Sequence, residues 1–258
     1  MTKDRSVEIA PGVSMPMIGF GTWQITGEPA YTATRAALDA GYRHIDTAML
    51  YGNEVEVGRA LRDSGVARSD VFVTTKLPPD RIKRVRATLE TSLASLGLDY
   101  VDLWLIHWPP NGGPATKAWQ EFLDLRDKGL TRAVGVSNYD VDQLDELTKP
   151  SGQMPVVNQV SWSPRRFDAA VLAGHRERGI VVEGYSGLRG ADLSDPVLVE
   201  IAAGHGVTVA QVVLRWHLEH DIVVIPKSVH EDRIRENFDL YSFELSPSET
   251  ARIDALAG

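Results

Sequence analysis

Eight short runs favouring strand, MIGFG, YRHIDT, VFVTTK, YVDLWLIH, TRAVGVS, VVNQVS, IVVEGY and IVVIPK, recur along the chain with helix-period segments between them. Strands that alternate with helices pair in parallel through crossover connections. Several of these runs are apolar on both faces, as strands buried on both sides must be. The stretches between them, among them EPAYTATRAALDAG, RIKRVRATLETSLASLG, VDQLDELTK and TVAQVVLRWHLEH, place apolar residues at helical spacing, several with a glycine near the end. A leading segment, SVEIAPGVSMPMIGFGTW, reads as a hairpin turning at Pro11 and Gly12. No linker, low-complexity tract or internal repeat interrupts the 258 residues. The expectation is one domain over 1–258, an α/β fold of the (β/α)8 TIM-barrel type with an N-terminal β-hairpin.

An open doubly wound sheet is the rival architecture, and for a nucleotide enzyme it requires a G-x-G-x-x-G turn after its first strand. The nearest approach, Gly19-Phe20-Gly21-Thr22-Trp23-Gln24, lacks the third glycine. With 35 acidic residues against 27 Lys and Arg, the net charge of −8 opposes binding to nucleic acid or to anionic membranes. Cysteine is absent, which excludes disulfides, thiolate nucleophiles and Cys-ligated zinc. The charged N-terminal residues lack a signal-peptide core, and no apolar run reaches spanning length. A cytoplasmic protein working on small molecules is expected.

Barrel active sites gather where strands end, so a polar residue closing an apolar strand is a better candidate than one in a helix. Asp46 ends HID, Tyr51 follows in TAMLYGNE, Lys76 ends VFVTTK and His107 ends LWLIH. Each alone has a structural reading: a helix cap, a surface phenol, a snorkelling amine, a core imidazole. Together, a lysine and an aspartate at adjacent strand ends can pair, and a cation beside a phenol lowers its pKa.

The segments GFGTW, GYRHIDTAMLYGNEVEVG, TTK, LGLDYVDLWLIHWP, GVSN, NQV and IPKS with a later REN resemble the aldo-keto reductases, nearly end to end and with the overall flavour of the bacterial diketogluconate-reductase-like group. The resemblance implies NADPH-dependent reduction of aldehydes and ketones. It assigns Asp46, Tyr51, Lys76 and His107 as a catalytic tetrad: Tyr51 as general acid, Lys76 held by Asp46 and depressing the Tyr51 pKa, His107 orienting the carbonyl oxygen. It implies cofactor contacts from Gly21, Thr22, Trp23 and Asp46, from Ser137, Asn138 and Gln159 at the nicotinamide carboxamide, and from Tyr185 stacked on the ring. Ser186 and Leu188 would contact the pyrophosphate. Lys227, Ser228 and Arg233 would hold the 2′-phosphate, with Val229 also at the cofactor and Glu236 and Asn237 near the adenine. Trp23, Met49, Tyr51, His107 and Trp108 would wall the substrate pocket. The expected partner is a small carbonyl compound, with no nucleic acid, membrane or metal, and the expected state is a monomer.

Three departures qualify the resemblance. GYSGLRG stands where the family commonly has YSPL, so Gly187 replaces a proline and a more mobile loop is expected. The loop WPPNGGPATKAW is compact, and the sequence ends after SPSETARIDALAG, where relatives usually carry a tail over the barrel mouth. An open mouth with broad carbonyl specificity is the expectation. A metal site at His217, Glu219 and His220 has the wrong histidine spacing and no third ligand, and the segments around Ser137 and Ser186 miss the second glycine of G-x-S-x-G. The alternative from another class is a cofactor-binding regulatory subunit of the same fold with little turnover.

Overall fold

The computed structural model describes residues 6–257. The chain opens with an antiparallel pair, β1 (Ser6–Ala10) and β2 (Val13–Pro16), turning at Pro11 and Gly12 as the sequence suggests. Eight parallel strands follow in sequential order: β3 (Phe20–Gly21), β4 (His44–Asp46), β5 (Phe72–Leu77), β6 (Val101–Ile106), β7 (Thr131–Ser137), β8 (Val157–Ser161), β9 (Val181–Tyr185) and β10 (Val223–Val224). The ring closes through a parallel bridge between Ile18 and Val224. Val224 N donates to Met17 O at 2.9 Å, and Gly19 N to Val224 O at 2.7 Å. The first and last strands are shorter than their sequence runs, covering Phe20–Gly21 and Val223–Val224.

Helices α1 (Glu28–Ala40), α2 (Glu54–Asp63), α3 (Val85–Leu96), α4 (Thr116–Asp127), α5 (Val141–Thr148) and α6 (Ala169–Glu177) each follow one strand. After β9 come α7 (Pro196–His205) and α8 (Val209–Glu219), and after β10 come α9 (Glu231–Phe238) and α10 (Pro247–Asp254). Local sequence sets these boundaries. Asp140 and Gln143, Thr208 and Gln211, and Ser246 and Glu249 form reciprocal capping boxes that open α5, α8 and α10. No single described helix is long and apolar enough to cross a membrane.

Strands β5 and β6 are buried along their whole length. Trp104 of β6 stacks on Phe122 of α4 with ring centroids 3.9 Å apart. At the N-terminal end of the barrel Asp102 is buried, accepting from Arg68 Nη2 at 2.7 Å, Arg132 Nη1 at 3.0 Å and Val73 N at 2.9 Å. Arg132 also donates to Gly12 O at 2.8 Å and so ties the hairpin to that end. The opposite, C-terminal end is left for the polar residues.

Candidate active site

Period-2 alternation along β5 puts Thr74 and Lys76 on one face, and the register pairs Asp46 with Thr74. From one step further along its strand, Lys76 reaches back over Asp46. Its Nζ donates to Asp46 Oδ1 at 2.6 Å, Oδ2 at 2.8 Å and Thr47 O at 2.8 Å, and to the Tyr51 hydroxyl oxygen at 3.4 Å. Tyr51 arrives on the one-turn 3₁₀ helix Met49–Tyr51 that follows β4. The His107 ring lies edge-on to it at 5.7 Å between centroids and stacks on Trp108 at 4.1 Å.

Burial fixes the protonation states. It pulls the Lys76 ammonium down, but Asp46, Tyr51 and Glu183 outweigh it and leave the amine above its usual value. Tyr51 is pushed up to about 12, burial being the largest cause and Lys76 opposing it only in part. The expected net depression of the Tyr51 pKa is therefore corrected: the ammonium acts in the expected direction, and desolvation of the phenolate wins. His107 is driven down to about 2, by burial first and the Lys76 charge second, so it is a neutral imidazole with one N–H to donate. Its Nδ1 is buried without a hydrogen-bond partner among the described residues.

Around these groups lies a cavity of about 630 Å³. Of the residues expected at the cofactor, Gly21, Trp23, Asp46, Ser137, Asn138, Gln159, Tyr185, Ser186, Leu188 and Lys227 line it. Ser137 Oγ donates to Gln159 O at 2.8 Å, Asn138 Nδ2 to His107 O at 3.1 Å, and the Tyr185 hydroxyl to Asn138 Oδ1 at 2.7 Å. Gln159 Nε2 donates to Asp46 Oδ1 and to Glu183 Oε2, both at 2.8 Å, which leaves its carbonyl as the group free for a carboxamide N–H. Thr22 is buried behind the cavity and donates through Oγ1 to Asp46 O at 3.0 Å. Ser228, Val229, Arg233, Glu236 and Asn237 lie beyond the cavity lining, along the turn into α9 and on α9 itself. Arg233 and Glu236 are exposed and Asn237 is buried, while the neighbouring Arg235 is engaged by Glu231.

Of the expected substrate wall, Trp23, Tyr51, His107 and Trp108 line this cavity and Met49 does not. Met49 lines a separate depression between α2 and α3, and Leu50, 59% exposed, takes its place at the mouth. The 3₁₀ turn is the reason: consecutive residues on it point in different directions, and an index of one residue exchanges mouth for flank.

Sequence reasoning passed over Arg189, Glu183 and His44, and weighed His217 only as a metal ligand. Arg189 lines the cavity with its guanidinium 5.6 Å from the Trp23 ring. His217 also lines it, its Nδ1 2.7 Å from Val213 O and its Nε2 3.3 Å from Trp162 O, while His220 faces Asp254 Oδ1 at 2.8 Å. A Cβ on Gly187 would stand 2.9 Å from His217 Cε1, so a larger residue at the position of the family's proline would require the imidazole to shift. Glu183 and His44 are fully buried in the barrel interior. The carboxylate inside the apolar run IVVEGY was the readable signal for Glu183.

The Aldo/keto reductase family profile matches residues 17–257. Morphine 6-dehydrogenase of Pseudomonas putida is 41% identical over 98% of this chain and 92% of its own length. Methylglyoxal reductase DkgA of Escherichia coli is 40% identical over 99% of this chain and 94% of its own. An aldo/keto reductase from Brucella melitensis superposes with a TM-score of 0.94 at 42% identity, covering 98% of this chain and 100% of that one. A Bombyx mori aldo-keto reductase solved in complex with NADP gives 0.93 at 33% identity, over 100% and 94%. By sequence and fold, this chain belongs to the aldo-keto reductase family.

Proposed function

We propose that this protein reduces small aldehydes and ketones to alcohols with NADPH, Tyr51 serving as general acid. The observation that carries the reading is a neutral half-buried phenol, a neutral imidazole and a buried ammonium converging at the floor of one cavity. Lys76 donates to the Tyr51 oxygen, so the phenol's own proton is free to point into the cavity. Protonating the substrate oxygen transiently leaves a phenolate, and the Lys76 charge 3.4 Å away stabilises it as it forms. Asp46 holds the ammonium by both oxygens, and His107 offers its one N–H to the same substrate oxygen.

The donor set fits a nicotinamide dinucleotide: amide and hydroxyl groups from Asn138, Ser137 and Gln159 meet at one wall, the Tyr185 ring lies beside them, and Lys227 lines the far side. When bound there, the cofactor supplies the hydride. Arg233, exposed on α9, is the residue we assign to the 2′-phosphate. The NADP complex of the silk-moth relative supports the choice of cofactor. A monomer in the cytoplasm acting on no nucleic acid completes the proposal.

Steady-state oxidation of NADPH in the presence of a panel of aldehydes and ketones tests it. Turnover with several of them is expected. Cofactor binding without turnover toward any would replace the enzyme with a binding subunit.

A further inference from the structure

We propose that Glu183 and His44 share one proton beneath the tetrad, forming a positioning pair that fixes which way the Gln159 amide faces. Glu183 sits in β9 directly opposite Gln159 of β8, and His44 lies on β4 two residues before Asp46, hence on the same interior face. All three are at most 2% exposed. Glu183 Oε2 accepts from Gln159 Nε2 at 2.8 Å, while Oε1 has no hydrogen-bond partner among the described residues and stands 3.5 Å from His44 Nε2.

The protons can be placed by elimination. His44 Nδ1 lies 3.2 Å from Pro16 O, and a carbonyl only accepts, so Nδ1 carries the hydrogen. Burial drives the imidazole down to about 4, against the pull of Asp46, so it is neutral and its Nε2 presents a lone pair. A carboxylate at Glu183 would then face lone pair with lone pair. It would also set a second anion against the Gln159 nitrogen that already serves Asp46, with the Lys76 charge already spent on Asp46. A neutral carboxyl removes both conflicts: Oε1–H points at His44 Nε2, and Oε2 accepts from Gln159. Burial and the Asp46 charge accordingly push Glu183 up to about 8. The other groups facing the pair are Thr74, whose hydroxyl is 3.4 Å from His44 Nε2, Asp102, Lys76 and Tyr51.

This arrangement depends on Gly19, where a Cβ would stand 2.5 Å from His44 Nδ1. Its consequence lies at the cavity. With both amide hydrogens of Gln159 held by Asp46 and Glu183, the amide cannot flip, and its oxygen stays available. That this oxygen meets the nicotinamide carboxamide rests on the function proposed above, whereas the shared proton does not.

Infrared spectroscopy of the full-length protein, with and without uniform [¹³C]glutamate, tests the proton directly. The expected result is a protonated-carboxyl C=O band at neutral pH that shifts on labelling and fades only as pH rises past about 8. Long-range ¹⁵N NMR should show His44 as the Nδ1–H tautomer. Glu183→Gln, whose amide can donate to His44 and accept from Gln159, should lose the band while keeping NADPH affinity within about twofold. It should also lose any ionisation near 8 from the pH profile of cofactor binding. No labelled carboxyl band in the wild type, or an imidazolium at His44, overturns the proposal without touching the assignment of Tyr51. So does a folded Glu183→Gln protein whose NADPH affinity falls more than about tenfold, ~1.4 kcal/mol, since that would require an anion at this position.

Discussion

Lys76 Nζ lies 3.4 Å from the Tyr51 oxygen, and being an ammonium it can only donate to it, which leaves the Tyr51 proton to the cavity. Replacing Tyr51 by Phe deletes that proton and leaves Asn138, Gln159 and Tyr185 in place. We expect carbonyl reduction to fall by about 10²–10⁴ in kcat with the NADPH dissociation constant nearly unchanged. Retention of more than roughly a tenth of kcat, a barrier change under about 1.4 kcal/mol, would remove Tyr51 from the role of general acid.

The pH dependence follows from two shifts. Tyr51, pushed up to about 12, is protonated at every ordinary pH, and His107, pulled down to about 2, is neutral throughout. Reduction needs the phenol, so kcat/KM for the aldehyde should stay level from mildly acidic to mildly alkaline pH and decline only toward the Tyr51 value. Alcohol oxidation needs the phenolate and should climb with pH over the same range, about tenfold per unit. The profiles are measured in both directions; a falling limb near neutrality for reduction would assign the proton to another group.

Asp46 and Lys76 are 2% and 0% exposed, so breaking their pair strands a charge in the barrel. Asp46→Asn should cost about 3–5 kcal/mol in urea unfolding, far more than a surface ion pair. The double change Asp46→Asn with Lys76→Met should be more stable than Asp46→Asn alone, because no charge is left unpaired. If the double variant is the less stable of the two, the pair is not what the single change breaks.

The alternation of strand and helix runs carried the barrel, and polar residues closing apolar strands carried the site, because both depend on period and position within one element. Asp46, Lys76 and His107 could be read that way. Met49 could not, since its side-chain direction is set by a one-turn 3₁₀ helix that leaves no periodic trace. The Tyr51 pKa also escaped: the sign of the Lys76 effect was legible, but the larger desolvation depends on enclosure by residues distant in sequence. The same holds for His217 against Gly187, thirty positions apart along the chain and touching only across the fold.

Cofactor choice separates two arginines. Arg233 is exposed on α9, whereas Arg189 lines the cavity beside Trp23. Charge-assisted hydrogen bonds contribute about 1.5–3 kcal/mol, so Arg233→Ala should weaken NADPH by roughly 10- to 100-fold and leave NADH alone. Arg189→Ala should weaken both cofactors alike if it meets the shared diphosphate. Fluorescence titration at fixed ionic strength reads both. Equal weakening of NADPH and NADH by Arg233→Ala would mean that it does not read the 2′-phosphate.

Gly187→Pro would restore the residue common in the family, and here we expect it to destabilise. A Cβ at this position would stand 2.9 Å from His217 Cε1 and 3.0 Å from Nε2. That imidazole cannot easily withdraw, since its Nδ1 lies 2.7 Å from Val213 O and its single N–H is held there. Overpacking of this kind costs about 1–3 kcal/mol. A second conflict is in the backbone: Ser186 is left-handed at φ +58°, and the residue before a proline is driven toward extended backbone. His217→Ala makes room for the ring but leaves the Ser186 conflict, so the rescue should be partial. Urea unfolding of the wild type, both single variants and the double closes the cycle. A double variant more stable than the sum of the singles by at least about 1 kcal/mol is expected, and additivity within about 0.5 kcal/mol would show that His217 is not what excludes the proline.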